Sequence, residues 1–580
     1  MKNSKKFLNP ESKKVIVAID FGTSGTAYSY AFTDCKEDIL SPEEIKAPTE
    51  IILDSQMQLL KFGNECRQFL SESISLKQDY YHFIDIKMKL YKNERKIQSN
   101  NKKSWHSLKK IISEVLKAIK KEAIKMISSK RKNILESDIE WTVTVPAIWR
   151  ENSKEIMIEA SKDAGIFNEY EDNKFDFLAL EPESAALDYI QEKTSDKDSI
   201  KLGNNYIICD IGGGTIDIST HTRKIDNISG EIYIEELYPP SGGNNGSKYI
   251  NELFMEKVIK KIFGQNAMDQ ILTIKNNNSV DEDIGYEDYM NLLDQIEEFK
   301  IGINMNSYNG SKRINCSIFE NFVTEDISEL IEEYNNNCPE NWKIKTNKGF
   351  KIFFPYQIMI DLTKEIIVDN VVNYLYEIID HVKNINSIIY AGTVSKNDFI
   401  ISMIQNQLPN INYYVSTHPA LAVARGAVLF GINPLIIKSR IARYNIGIQT
   451  NEKWDEFKHG ERKDLKYFCK IENCDKCKNI FSPIILKNKK ILVEEWVKKH
   501  FTILSSICSI TFLKTDYDNV IFTDDKLKKC EKFGETDFDV GEVFDENDKD
   551  LIIELKLGGT FIDAKIIYKG VEKSIPFFFH

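Results

Sequence analysis

Short apolar runs that end in a carboxylate and glycines stand out against longer stretches with helical spacing. Tyr206, Ile207, Ile208 and Cys209 lead to Asp210; Gly212, Gly213, Gly214 and Thr215 follow, and Asp217 opens another apolar run. Runs this short, bounded by glycine, predict two strands joined by a tight turn. Residues 15–32 repeat the grammar: an apolar run, Asp20, then Gly22, Thr23, Ser24, Gly25 and Thr26, then a second strand over 28–32. A third hairpin is predicted near the C-terminus, over 551–564, turning at Gly558 and Gly559. Helical spacing of Leu108, Ile111, Val115, Ile119, Ala123 and Ile127 predicts an amphipathic helix over 105–127. A strand over 141–145 is stopped by Pro146. The helix after it has Asn152 and Glu155 spaced as a capping box and Gly165 as its stop. Leu253, Phe254, Val258 and Ile262 predict a helix over 251–263 closed by Gly264. Residues 33–61 are polar and poorly patterned, and the Asn-rich stretches 276–283 and 335–337 read as exposed insertions.

Glycines without Cβ atoms let backbone N–H groups approach a bulky anion such as a phosphate. Carboxylates at the adjoining strand ends can hold Mg²⁺ through its water shell. One such turn fits an ordinary glycine-rich hairpin equally well. Two, far apart in sequence, suggest a duplicated lobe with a nucleotide between the halves. The chain has 580 residues, room for about three to four units with large cores. A formal net charge of -11 argues against nucleic acid as the main partner. The lysine-rich start lacks a signal-peptide core, no apolar run is long enough to span a bilayer, and the 10 cysteines are scattered. A cytoplasmic location with reduced thiols is therefore expected.

Both hairpins resemble the phosphate-gripping hairpins of the actin-like ATPase superfamily, and more specifically of DnaK-type heat shock 70 kDa chaperones. Further segments keep the same order and spacing. Residues 81–90 resemble the stretch with the family's catalytic lysine, at Lys87, with Lys89 close behind. Residues 142–147, 163–165 and 178–186 resemble chaperone segments, the last placing Glu181 where the family glutamate helps position Mg²⁺ and the attacking water. The glycine turn 241–247, with Gly242 and Gly243, looks like another cover over the nucleotide. Residues 297–301 resemble the helix lining the adenosine pocket, and Glu297 and Lys300 align with ribose and base contacts. Residues 388–395, with Gly392 and Thr393, match the second adenosine-side turn, and 418–430 match the helix that closes the lobes. Two positions depart from the pattern: Ile301 and Ser395 stand where arginines stack on adenine, each such stack contributing about 0.5–2 kcal/mol. These departures and residues 430–434 resemble the divergent heat shock 70 kDa protein 12 branch.

The resemblance implies an α/β fold. Duplicated actin-like (ribonuclease H-like) ATPase lobes would surround a nucleotide cleft, followed by a small lidless C-terminal β domain. The expected boundaries are a disordered N-terminus at 1–13, lobe I at 14–200 completed by 415–437, lobe II at 201–414, and a β-rich domain at 438–580. The stretch 437–443 is basic, unlike the apolar linker of the standard family, and is not expected to dock as that linker does. Implied cofactors are ATP or ADP with Mg²⁺. Asp20 and Asp210 would hold the metal through water, with Glu181 assisting, and Asp217 or Asp20 would orient the attacking water. Thr23, Ser24, Thr215 and the amides of Gly22, Gly25 and Gly212 to Gly214 would cradle phosphates, with Lys87 facing the γ-phosphate. Taken alone, Lys87 also fits a solvated surface lysine, and Glu181 a helix N-terminal carboxylate.

The C-terminal domain would take a protein or peptide partner. Cys469, Cys474 and Cys477, with His459, offer four zinc ligands in number, but the spacing matches no common zinc module and three loop thiols are the expectation. Three functions stay open: a slow, chaperone-like ATPase, a nucleotide-gated binding module with negligible hydrolysis, and a small-molecule kinase of the same superfamily. P-loop and dinucleotide-fold motifs are absent from the sequence.

Overall fold

The computed structural model describes residues 13–43, 46–72, 79–101, 104–167, 178–192, 200–277, 279–281, 284–524, 529–557 and 562–576. The chain divides into two compact units, Met1–Ser219 with Pro240–Pro434, and Thr220–Pro239 with Leu435–His580. It is a mixed α/β protein with several sheets.

In the first unit, one sheet runs in the order Leu178–Leu180, Ile139–Val145, Val15–Asp20, Gly25–Phe32, Ala47–Pro48. Val15–Asp20 pairs antiparallel with Gly25–Phe32 and parallel with Ile139–Val145, so Asp20 ends a central strand whose residues are all buried. A second set of strands repeats the arrangement. Asn205–Ile211 pairs parallel with Ile385–Ala391, which pairs parallel with Asn412–Val415, and Ile216–Ile225 lies on its other side. Asp210 thereby sits at the end of its own central strand. Parallel strands buried on both faces need near-continuous apolar sequence, which is what residues 15–19 and 206–209 supply. The helices Glu181–Glu192 and Ala422–Ile432 cross closely: a Cβ on Gly426 would collide with the Ser184 carbonyl. Ala185, Ala186 and Tyr189 pack with Tyr206, Ile208, Ile389 and Ala422, which fixes the entry of Glu181 into the first unit's interior.

The second unit holds two antiparallel sheets. One runs Lys466–Cys469, Cys474–Ile485, Asn445–Lys453, Ile507–Thr515, Glu531–Asp539, and the other Trp496–Thr502, Asp550–Lys556, Asp563–Tyr568, Val571–Pro576. Leu551, Ile553 and Leu555 alternate inward, as do Ala564, Ile566 and Tyr568, and they meet Ile446, Ile448, Ile510, Phe512 and Phe533 in one apolar core. The predicted C-terminal hairpin is present, with Lys556 opposite Asp563, while Gly558 and Gly559 lie outside the described residues.

Several expectations are corrected. The helix expected from 105 begins at Leu108; Trp105–Ser107 is a strand paired with Lys96–Gln98, a local period of two that the helical stripe obscured. The helix Glu151–Asp163 already contains Asn152 in its first turn, and no side chain caps it, so the capping box does not form; Gly165 follows the helix at φ 66° as expected. Gly264, at φ 81° and outside helical geometry, ends one helical stretch as expected and a second runs on to Asn277, while the first starts at Lys248 rather than at 251. Asn335, Asn336 and Asn337 form the last turn of the helix Ile327–Asn337, and Asn335 bonds both backbone groups of Ile344. The patch 276–283 lies partly outside the described residues, as do residues 1–12. The described residues of 33–62 hold the strands Ala47–Pro48, Ile51–Asp54 and Leu59–Phe62, which the poor patterning did not announce.

The basic stretch 437–443 is largely a paired strand. Ile437–Ile441 is a strand paired parallel with Ile232–Gly243, Ile437 facing Ile234, and antiparallel with Lys490–Leu492. Backbone pairing is indifferent to side-chain polarity, and carboxylates meet the stretch's polar groups: Lys438 bonds Asp226 at 3.2 Å, and the Ile441 N–H donates to Glu236 at 2.6 Å.

The three loop thiols are strand residues. Cys469 and Cys474 face each other across a strand pair, while Cys477, three residues further along the same strand, falls on the opposite face of the pleat. His459 uses both ring nitrogens, accepting from the Asp455 N–H at 2.9 Å and bonding Glu452 at 2.6 Å. The four groups do not converge.

Candidate functional site

The two carboxylate-and-glycine turns face each other. A Cβ on Gly213 would meet the Ser24 hydroxyl, and one on Gly214 would collide with Thr23. Each turn is braced from behind. The Gly212 N–H donates to the Thr215 carbonyl at 2.9 Å. The loop after Gly243 then straps this turn, with the N–H groups of Gly246, Ser247 and Lys248 donating to Gly214, Gly212 and Gly213 at 3.1, 3.1 and 2.9 Å. The first turn is held by Thr49, whose hydroxyl donates to the Gly22 carbonyl at 2.7 Å and bonds Thr26 at 2.8 Å. Gly392 (φ 83°) closes over the second strand end: any Cβ there would collide with the Asp210 carboxylate and the Ile211 carbonyl. Only glycine fits that position on both counts.

Between the turns lies a cleft with about 460 Å³ of empty space, open solvent included. Its walls bring together Asp20, Gly22, Thr23, Ser24, Gly25, Lys87, Glu181, Asp210, Gly212, Gly213, Gly214, Thr215, Gly392 and Thr393. Of the residues singled out from the sequence, Asp217, Gly242, Gly243, Glu297 and Lys300 are not among these walls. Asp217 is fully buried one residue into its strand, and a Cβ on Gly242 would press on its backbone. Gly243 lies beside the Tyr374 hydroxyl. Glu297 bonds Asn251 at 2.7 Å and Lys300 at 2.6 Å, and Lys300 reaches the Ser247 carbonyl at 3.3 Å, within the strap over the second turn. Ile301 is solvent-exposed, and the buried Ser395 hydroxyl donates to the Ala391 carbonyl.

Charge is concentrated at the floor. Lys87 and Glu181 form an ion pair at 2.5 Å with both side chains almost fully buried. Asp20 accepts from Lys46 at 2.6 Å and from the Thr144 hydroxyl at 3.3 Å. Burial, then the charge of Asp217, pushes the Asp210 carboxyl up to about 7, against the pull of Lys46. Burial also pushes Glu181 up, opposed by Lys87 and reinforced by Asp217, Asp20 and Asp210. Burial works to lower Lys87, yet Glu181 and Asp20 outweigh it and keep it above the ordinary lysine value. Four carboxyl groups (Asp20, Glu181, Asp210, Asp217) against two ammonium groups (Lys46, Lys87) leave acidic groups in excess at a largely buried floor, an excess that grows as pH rises and Asp210 and Glu181 ionise. Hard oxygen donors with that surplus suit a divalent cation such as Mg²⁺, and the bare glycine amides suit the phosphates it would accompany.

Sequence reasoning missed Lys46, Thr49 and Thr144. Lys46 lies in a stretch of mixed charge with no periodicity, and the only clue was Pro48 ahead of the apolar triplet Ile51, Ile52, Leu53, which marks a strand entry but not a role.

No family model matches the chain. Heat shock 70 kDa protein 12A of Mus musculus is 23% identical over 595 aligned residues, 89% of this chain and 84% of that protein. The Homo sapiens protein of the same name is 22% identical over 90% of this chain and 84% of its own length. Heat shock 70 kDa protein 12B of Homo sapiens is 24% identical over 44% of this chain and 46% of that one. Similarity over about nine tenths of its length makes this chain a homologue of the heat shock 70 kDa protein 12A proteins.

Proposed function

We propose that the chain binds Mg-ATP between two actin-like lobes, hydrolyses it slowly, and acts as a chaperone-like protein of the cytoplasm. The observation that carries this reading is the pair of facing glycine turns above four buried carboxylates and two ammonium groups. Lobe I would comprise 14–200 completed by 415–437, and lobe II 201–414. A lidless β domain from 438 would offer its surface to a protein or peptide partner. No helix among the described residues is long and apolar enough to cross a membrane.

Asp20 and Asp210 hold the water shell of Mg²⁺, with Glu181 assisting. When bound, the metal would neutralise charge on the phosphate oxygens. Thr23, Ser24, Thr215 and the amides of the two turns cradle the phosphates. Lys87 stabilises charge that builds on the transferring phosphoryl group, and Asp217 or Asp20 orients the attacking water. Glu297, Lys300, Gly392 and Thr393 would serve the adenosine side, and the turn with Gly242 and Gly243 would cover the nucleotide. Asp210→Asn and Lys87→Ala should each lower single-turnover hydrolysis by at least about tenfold. Unchanged rates in both would remove the catalytic assignment, and flat calorimetry with magnesium and any purine triphosphate would remove the whole reading.

A second reading, a nucleotide-gated binding module with negligible hydrolysis, is favoured by the exposed Ile301 and the buried Ser395 where adenine-stacking arginines are expected. Turnover at saturating Mg-ATP separates the two.

A further inference from the structure

The segment 46–49 is built onto the first turn. Ala47–Pro48 extends the sheet beside Gly25 and Thr26, the Thr49 N–H donates to the Ser24 carbonyl at 3.4 Å, and the Thr49 hydroxyl binds both Gly22 and Thr26. The stem of Lys46 crosses over Gly25, where any side chain would collide with it. With its backbone fixed this way, Lys46 delivers its ammonium into the cleft at 2.6 Å from the buried Asp20 carboxylate. It is also the cation acting most strongly on Asp210. Lys87, by contrast, is engaged by Glu181 on the other side of the floor. Lys46 is thus paired with one of the two carboxylates assigned to the metal and lines the same cleft as the other, and its side chain is 22% exposed, so it can leave.

We propose that Lys46 is the resident counter-cation of Asp20 and competes with a divalent cation held between Asp20 and Asp210. This inference rests on the nucleotide reading above only for its biological use; the competition itself is a property of the carboxylate pair. A cation within hydrogen-bonding distance of a buried carboxylate suppresses a second cation at the same oxygen by direct repulsion, which burial of the carboxylate leaves only partly screened. Loading of the metal is then coupled to movement of Lys46, which the phosphates of a nucleotide would draw away from Asp20.

The probe is Mn²⁺ alone, titrated into the nucleotide-free full-length protein and followed by electron paramagnetic resonance of the free ion. Lys46→Met should bind Mn²⁺ at least about tenfold more tightly than wild type, and Lys46→Arg, which keeps the charge, should stay close to wild type. Lys46→Gln supplies the same reading if the methionine variant does not fold. Equal or weaker Mn²⁺ binding in the neutral variants, including no binding by any of them, overturns the proposal, as does tighter binding in Lys46→Arg. Calorimetry with Mg-ATP and Mg-GTP is run alongside. No nucleotide binding together with tightened Mn²⁺ sinks the nucleotide reading and leaves the role of Lys46 standing; nucleotide binding with unchanged Mn²⁺ does the reverse.

Discussion

The cleft of the first unit and the sandwich of the second bury opposite chemistries. Asp20, Lys87, Glu181, Asp210 and Asp217 are all under 8% exposed at the cleft floor, whereas the sandwich core is apolar from Ile446 to Tyr568. Apolar burial stabilises a fold at roughly 25 cal/mol per Å². Buried charge does so weakly or not at all, because desolvation offsets the attraction between partners. The cleft floor gathers charged side chains, whereas the sandwich core is built from apolar ones, so the two sites are used differently. The sandwich is held by its packing, and the cleft is held ready for a charged ligand at some expense to stability. Substitutions should therefore separate the regions cleanly.

The largest effect is expected in the sandwich. Phe512→Ala removes a fully buried ring between Ile446, Ile510 and Phe533 and should destabilise that unit by about 3–5 kcal/mol in denaturant unfolding, with nucleotide affinity unchanged. A parallel fall in affinity would break the comparison. Next comes Lys87→Met, which takes one ammonium from the floor and leaves Glu181 facing three other carboxylates. The loss should be about 3 kcal/mol at pH 8 and clearly less at pH 6. The reason is that burial already raises the Glu181 carboxyl, so it takes up a proton readily in acid. Equal losses at both pH values would mean that the ion pair does not govern this site.

Much of this contrast was legible in the sequence, for a physical reason. Asp20 and Asp210 end short apolar runs and are followed by glycines, and that pattern survives because strand burial, the turn and the ligand each constrain it separately. The alternation in 551–555 similarly announced a half-buried strand. What stayed hidden depended on neighbours distant in sequence. Nothing near Lys46 says that it will lie over Gly25. Nothing in the basic residues 438–443 says that a backbone edge at Ile234 and the carboxylates Asp226 and Glu236 will receive them. The start of the helix at Leu108 was misjudged because Trp105 fits a helical stripe and a two-residue alternation alike.

A smaller effect sharpens the boundary between packing and charge inside the second unit. His221 is fully buried, and burial, then Arg440, lowers its pKa from 6.5 to about 3. The unfolded chain therefore binds a proton between those values that the folded chain refuses. Its contribution is fully present above pH 6.5 and is lost as pH falls toward 3, at about 1.4 kcal/mol per pH unit. His221→Gln should flatten that part of the stability profile by one proton's slope, read from denaturant midpoints at half-unit intervals. An unchanged slope would mean that His221 is protonated in the folded protein.

The smallest effect is at the surface of the first unit, where Arg67 bonds Asp294 at 2.5 Å, Glu287 at 2.8 Å and Asn291 at 3.1 Å. Three partners on one helix suggest a strong tie, yet Arg67 is 37% exposed and its two acidic partners more so. Water and salt screen exposed pairs, and holding long side chains in one geometry opposes the attraction. Arg67→Ala should therefore change stability by less than about 1 kcal/mol, and by less still at high ionic strength. A loss as large as that of Lys87→Met would show that this fan is as desolvated as the cleft floor, and exposure would then no longer separate the weak ion pairs from the strong ones.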